Sequence, residues 1–127
     1  MKLMEITIYD AFVLNKVLHK LLEQQSSYNI QTAFKIYKLI KWLDETETFI
    51  LERMHLMFGT TSIDTSNEIQ TAFLSSKIPF TNTNLSMEEL LITEGNVKLK
   101  VSDIEILDKM LKKKRRSNII LRFLYYL

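Results

Sequence analysis

The sequence predicts a mainly α protein: an antiparallel helical hairpin with a long second helix, short C-terminal helices and a minor β element. Three observations predict it. From Asn29 to Phe58, apolar residues stand at Ile36, Ile40, Leu43, Ile50, Met54 and Met57, in steps of four and three that Glu47 alone interrupts. That spacing draws one continuous apolar band along a helix. The 127 residues contain two glycines and one proline, too few for a loop-rich β protein or a glycine-loop nucleotide fold. A polar break, Gln24-Gln25-Ser26-Ser27, separates the long stretch from an earlier amphipathic one. Connections that short join antiparallel neighbours.

In chain order, Met1 to Ile8 alternates loosely and reads as a short strand or a lead-in. Thr7 then has the form of an N-cap, and Asp10 falls in the first turn, where its charge suits the helix dipole. Helix one is expected from Ile8 to Gln24. Ala11, Leu14, Leu18 and Leu21 form its stripe, and Asp10, Asn15, Lys16, Lys20 and Glu23 are assigned mainly to the other side. Asn29 caps helix two, and Gly59 stops it. About 27 residues at ~1.5 Å each make a rod of roughly 40 Å. Its seven-residue spacing suggests coiled-coil-like packing on helix one. Its far end, Ile50 to Phe58, overhangs helix one and needs other cover.

A third helix is expected from Thr65 or Ser66, where Thr65 to Glu68 has capping-box form, to Ser75-Ser76. Lys77 to Asn84, with the one proline, reads as an extended loop. Ser86 to Glu89 is a second capping box and opens a short helix through Leu90-Leu91. Val97 to Val101 alternates cleanly and reads as a strand. Ser102 to Glu105 is a third capping box, opening a helix with Ile106, Leu107, Met110 and Leu111. The reading is one domain over 1–127: a hairpin at 8–58, a helix and strand part at 65–111, and a basic, then apolar, tail at 112–127.

Composition bounds function. The absence of cysteine excludes disulfides and thiolate metal sites. Met1 to Glu5 does not lead into a signal-peptide core, and the terminal apolar run, Ile119 to Leu127 with Arg122 inside it, is too short to span a bilayer. The net charge of +2 is unevenly spread. Residues 1–98 carry nine Lys/Arg against twelve Asp/Glu, net −3, and residues 99–127 carry eight against three, net +5.

No phosphate loop, nucleophile elbow or His/Cys cluster is present in the sequence. His19 and His55 lie far apart on different helices, so neither has a metal or general-base partner at local spacing. Asp44, Glu45, Glu47 and Glu52 on helix two read as solvated charges, the alternative being a paired-carboxylate site, since Glu45 and Glu52 are seven apart and share a face. Glu47, inside the stripe, is either an edge residue reaching water or a buried polar group that fixes register with a partner helix. No cofactor, metal or small-molecule substrate is implied. The run Lys112, Lys113, Lys114, Arg115 and Arg116 is either a phosphate-contacting patch or a solvated helix end. Ile50, Met54 and Phe58 on the overhang, with Phe123, Leu124 and Leu127 in the tail, are the candidate partner-binding residues. The tail is expected to pack on the overhang or to enter a neighbouring subunit.

The order Ile8-Tyr9-Asp10-Ala11-Phe12, Leu21-Leu22, the Lys-rich Asn29 to Lys41, the acidic Glu47 to Arg53, Leu90-Leu91 before Thr93-Glu94, and Lys98 to Asp103 resembles a recurrent type of small bacteriophage protein. The resemblance covers roughly residues 3–108 and ends at the basic and apolar tail, where the relatives close on a short acidic-apolar helix. It implies no catalytic residue. The group resembled is functionally uncharacterised. Taken with the long helical hairpin and the lack of a catalytic constellation, the resemblance leads to the expectation of a non-enzymatic phage protein that acts by protein–protein contact in the host cytoplasm or the virion, as a virion or assembly component or an accessory factor. The alternatives are a nucleic-acid binder using Lys112 to Arg116, and an inhibitor of a host enzyme or defence system.

Overall fold

A computed structural model describes residues 4–24, 28–80, 85–90 and 99–111. Strand β1 (Met4–Thr7) runs directly into α1 (Ile8–Gln24), and α2 (Ile30–Phe58) follows. Then come α3 (Glu68–Leu74), β2 (Lys77–Phe80), α4 (Met87–Leu90) and α5 (Val101–Met110). The fold is mainly helical, with the long α2 packed on α1.

The first two helices begin where their cap residues stand, and α2 also ends on one. Thr7 Oγ1 accepts from the Asp10 amide at 3.0 Å, and Asn29 Oδ1 accepts from the Thr32 amide at 2.8 Å. Gly59 ends α2 in the left-handed region at φ 72°, a conformation that costs a β-carbon residue about 1 kcal/mol. Contacts pair Asn15 with Glu47 and His19 with Asp44, so rising numbers on α1 meet falling numbers on α2. The hairpin is antiparallel.

Its main core joins Leu14, Leu18 and Leu21 of α1 to Ile36, Leu39 and Leu43 of α2, closed by Ile104, Leu107 and Met110 of α5. A second cluster covers the overhang: Ile50 and Met54 lie under Ile8, Phe12 and Leu74. Phe58 meets Phe73 edge-on, with ring centroids 5.6 Å apart. The overhang is thus roofed by the start of α1 and by α3.

Several expected elements differ. Leu99 to Val101, the described part of the expected strand at Val97 to Val101, are not a strand. Residues 97 and 98 lie outside the described residues, Leu99 is buried in the core, and Val101 already opens α5. Asp103 Oδ2 accepts from the Lys100 amide at 3.2 Å, which sets the helix start at Lys100, ahead of the expected Ser102. The sheet instead pairs β1 with β2, antiparallel, with Met4 opposite Phe80 and Ile6 opposite Ile78. Ile6 and Phe80 are buried, so this face of the ribbon is pressed on the core. The expected loop from Lys77 is therefore a strand as far as Phe80. Pro79 is tolerated because β2 pairs on one side only among the described residues. Helix α3 starts later than Thr65, because Asn67 Oδ1 takes the Ile69 and Gln70 amides at 3.0 and 3.1 Å.

Ser86 caps α4 as expected: its amide donates to Glu89 Oε1 at 3.1 Å, and its Oγ accepts from the Glu89 amide at 3.4 Å. Glu89 also receives Lys35 Nζ at 2.9 Å, tying α4 to α2. Burial opposes its ionisation, yet Lys35 and Ser86 outweigh burial and hold the carboxyl below its ordinary value.

Candidate interaction surfaces

Two features of the hairpin bear on function: a polar cluster in its seam and apolar surface along α2. The cluster centres on Asn15, which is 4% exposed. Its Nδ2 donates to Asp44 Oδ1 at 2.9 Å and to Glu47 Oε2 at 2.8 Å. Its Oδ1 is buried and finds no hydrogen-bond donor among the described residues. His19 Nε2 lies 3.0 Å from the same Asp44 oxygen, and His19 Nδ1 lies 3.5 Å from Glu23. The hydrogen bond to Asp44, helped by the charges of Asp44 and Glu23, raises the His19 pKa above its ordinary 6.5. Burial pushes Asp44 upward, but the bonds from His19 and Asn15 prevail and its pKa falls below 3.8.

Sequence reasoning missed this cluster. It placed Asn15 on the outer side and found no partner for His19, whereas the hairpin brings them to residues 29 and 25 positions away. Glu47 is half-buried at the seam and bonded across it, so its break in the stripe marks a polar contact between the chain's own two helices. The arrangement can hold a proton on His19 and fix the helices' register. The nearby Thr48 hydroxyl is committed to the Asp44 carbonyl at 3.0 Å. Among the described residues no three His, Cys, Asp or Glu side chains group as a metal site.

The candidate partner-binding residues divide. Ile50 and Met54 are 3% and 0% exposed, so a partner cannot reach them; the roof of Ile8, Phe12 and Leu74 corrects that expectation. Phe58 is half-buried against Phe73. Phe123, Leu124 and Leu127 lie outside the described residues, as do Lys112, Lys113, Lys114, Arg115 and Arg116. What α2 does present is different. Ile30, Phe34, Tyr37, Phe49, Leu56 and Met57 are each at least half exposed. Phe34 and Tyr37 stack with centroids 6.1 Å apart, and Lys38 Nζ stands 4.9 Å from the Phe34 ring centre. A groove of about 590 Å³ runs along one flank, walled by Trp42, Phe49, Met57, Phe73 and Ile78, with Arg53 at its lining. Across the opposite flank, Leu51, His55, Leu56 and Thr61 line a shallower depression of about 520 Å³. Among the described residues no helix is long and apolar enough to cross a membrane.

No protein-family model, curated protein or solved structure matches the chain.

Proposed function

We propose that the protein acts by protein–protein contact, as a small non-enzymatic bacteriophage protein that serves as a virion or assembly component or as an accessory factor. The observation that carries the contact reading is the half-exposed apolar and aromatic surface of α2. Scattered single exposures are ordinary, but six on one helix, beside an apolar groove, form the kind of surface that association covers. The phage assignment rests on the sequence resemblance and sets the location as host cytoplasm or virion.

The test is affinity purification of the tagged chain from infected cells, with mass spectrometry of what it retains, alongside analysis of purified virions. Recovery in virions, or stoichiometric retention of one phage or host protein, is the expected result. A host enzyme or defence protein as the retained partner selects the inhibitor reading. Retention that is lost on nuclease treatment, with steep salt dependence, selects the nucleic-acid reading through Lys112 to Arg116. A chain found free, with neither virion nor partner, overturns the proposal.

A further inference from the structure

The outward face of α2 repeats the buried face's spacing. Lys38, Lys41, Glu45, Thr48, Glu52 and His55 follow one another in steps of three and four, and all are exposed. They lie on the side of the helix opposite the core stripe of Ile36, Leu43, Ile50 and Met54. An α-helix with seven-residue periodicity on both faces carries two seams, one of which α1 has filled.

The charge along the second seam is polarised. Lys38 and Lys41 occupy the first half, and Glu45 and Glu52 the second. Phe34 and Tyr37 flank the basic half, and Phe49 and Leu56 flank the acidic half. Among the described residues Lys38, Lys41, Glu45 and Glu52 are in none of the ion pairs, which bind His19, Lys35 and Lys109. A face that is basic at one end and acidic at the other is complementary to itself turned end for end. That is the condition an isologous two-fold contact requires.

We propose that this face docks a second copy of the chain, α2 against α2 and antiparallel. The inference rests on the contact reading above and supplies a partner for it. In the register that satisfies the seam, Lys41 of one copy stands opposite Glu52 of the other. Glu45 then meets Thr48, Lys38 meets His55, and Tyr37 packs beside Leu56. Each pairing occurs twice about the two-fold axis. A parallel arrangement would set Lys41 on Lys41 and Glu52 on Glu52, and like charges at facing positions are unfavourable. One helix pair covers less than the ~1,200 Å² at the lower end of standard interfaces, so the dimer is a weak, concentration-dependent one.

Sedimentation equilibrium on the full chain, up to a few hundred micromolar (the range suited to a small interface), tests this with exposed residues only. The wild type is expected to show a monomer–dimer equilibrium. The variant Lys38→Glu/Lys41→Glu and the variant Glu45→Lys/Glu52→Lys should each lose self-association at least tenfold, with unchanged circular dichroism. Mixed together, the two variants should form a one-to-one dimer, because each now carries the charge the other needs. A wild type that stays monomeric overturns the proposal. So does a dimer that ignores both reversals, which would place the interface elsewhere, the Trp42–Phe49 groove included. A mixture that fails to pair overturns the antiparallel register. If the wild type is monomeric yet appears in virions or holds another protein, this inference fails and the contact reading stands. If it dimerises but has neither, the dimer stands and the assembly reading fails.

Discussion

Asn15 is a polar residue set into an apolar seam, and its amide serves two carboxylates at once. Replacing it by Ala leaves Asp44 and Glu47 without that donor. The expected cost is ~1–3 kcal/mol in a urea melt, more than loss of the side chain's volume alone would suggest. His19 and Asp44 bind their proton states in opposite senses. The His19 pKa is raised in the folded protein, so its contribution is full below about 6.5 and is lost as pH rises through the folded value. That of Asp44 is lowered, so its contribution is full above about 3.8 and is lost as pH falls through the folded value. The pair therefore stabilises most between about pH 4 and 6.5. Both side chains are substantially exposed, which keeps the gain under ~1 kcal/mol. Melting temperatures of wild type and His19→Gln should differ in that window and converge as the pH rises through the raised His19 value. Half of this cluster was legible. Glu47 announced itself by breaking the stripe. Asn15 did not, because it was sorted by polarity: it stands four residues after Ala11 and three before Leu18, which is the apolar face by position.

At the scale of elements, local rules located the helices wherever a side chain closed the first turn. Thr7, Asn29 and Ser86 were readable as caps because the donor and acceptor lie within three residues of each other. Of the strands, β1 fell within Met1 to Ile8, one of whose two readings was a strand, but β2 and its pairing were not readable, because the two strands meet across seventy or more residues. Nothing local distinguishes Lys77–Phe80 from a loop, least of all a proline. Conversely, Val97 to Val101 had strand alternation, but Asp103 captured the Lys100 amide and turned Val101 into the first residue of a helix. Within α2 the stripe was sound from Ile36 to Met54, but Met57, its last member, is 52% exposed. Leu43 is 1% exposed and packs against α1, so Leu43→Ala is expected to cost ~2–5 kcal/mol in a denaturant melt. A change on the outer seam, such as Glu45→Lys, should leave the melt of the dilute chain within about 0.5 kcal/mol of wild type.

In the whole molecule, α2 is the spine on which two clusters are threaded. The larger lies under α1 and α5, and the smaller under the beginning of α1 and α3. The ion pair of Asp10 with Lys109, at 3.1 Å, ties the start of α1 to the end of α5, 99 residues apart. Size and spacing alone indicated that the overhang needed a roof. They could not say which segment provided it, since any apolar segment of the chain would satisfy the same hydrophobic demand. Among the described residues Ile8, Phe12 and Leu74 provide that roof; the tail, from which it was also expected, lies outside the described residues.

Trp42 is the chain's single tryptophan and sits where these parts meet. It leaves the spine, touches Phe80 of the strand ribbon edge-on at 5.6 Å, and forms one wall of the groove. Nature has in effect placed one fluorophore at the joint. Its emission should shift to the red when the ribbon lifts from α2, before far-ultraviolet ellipticity reports any loss of the hairpin. Phe80→Ala should bring that shift forward to milder denaturant while the ellipticity midpoint moves less. Coincident transitions in both proteins would mean instead that ribbon and hairpin melt as one cooperative unit. A ligand settling in the groove would move the same signal in the opposite direction, so one unlabelled chain can report its own opening and its own occupancy.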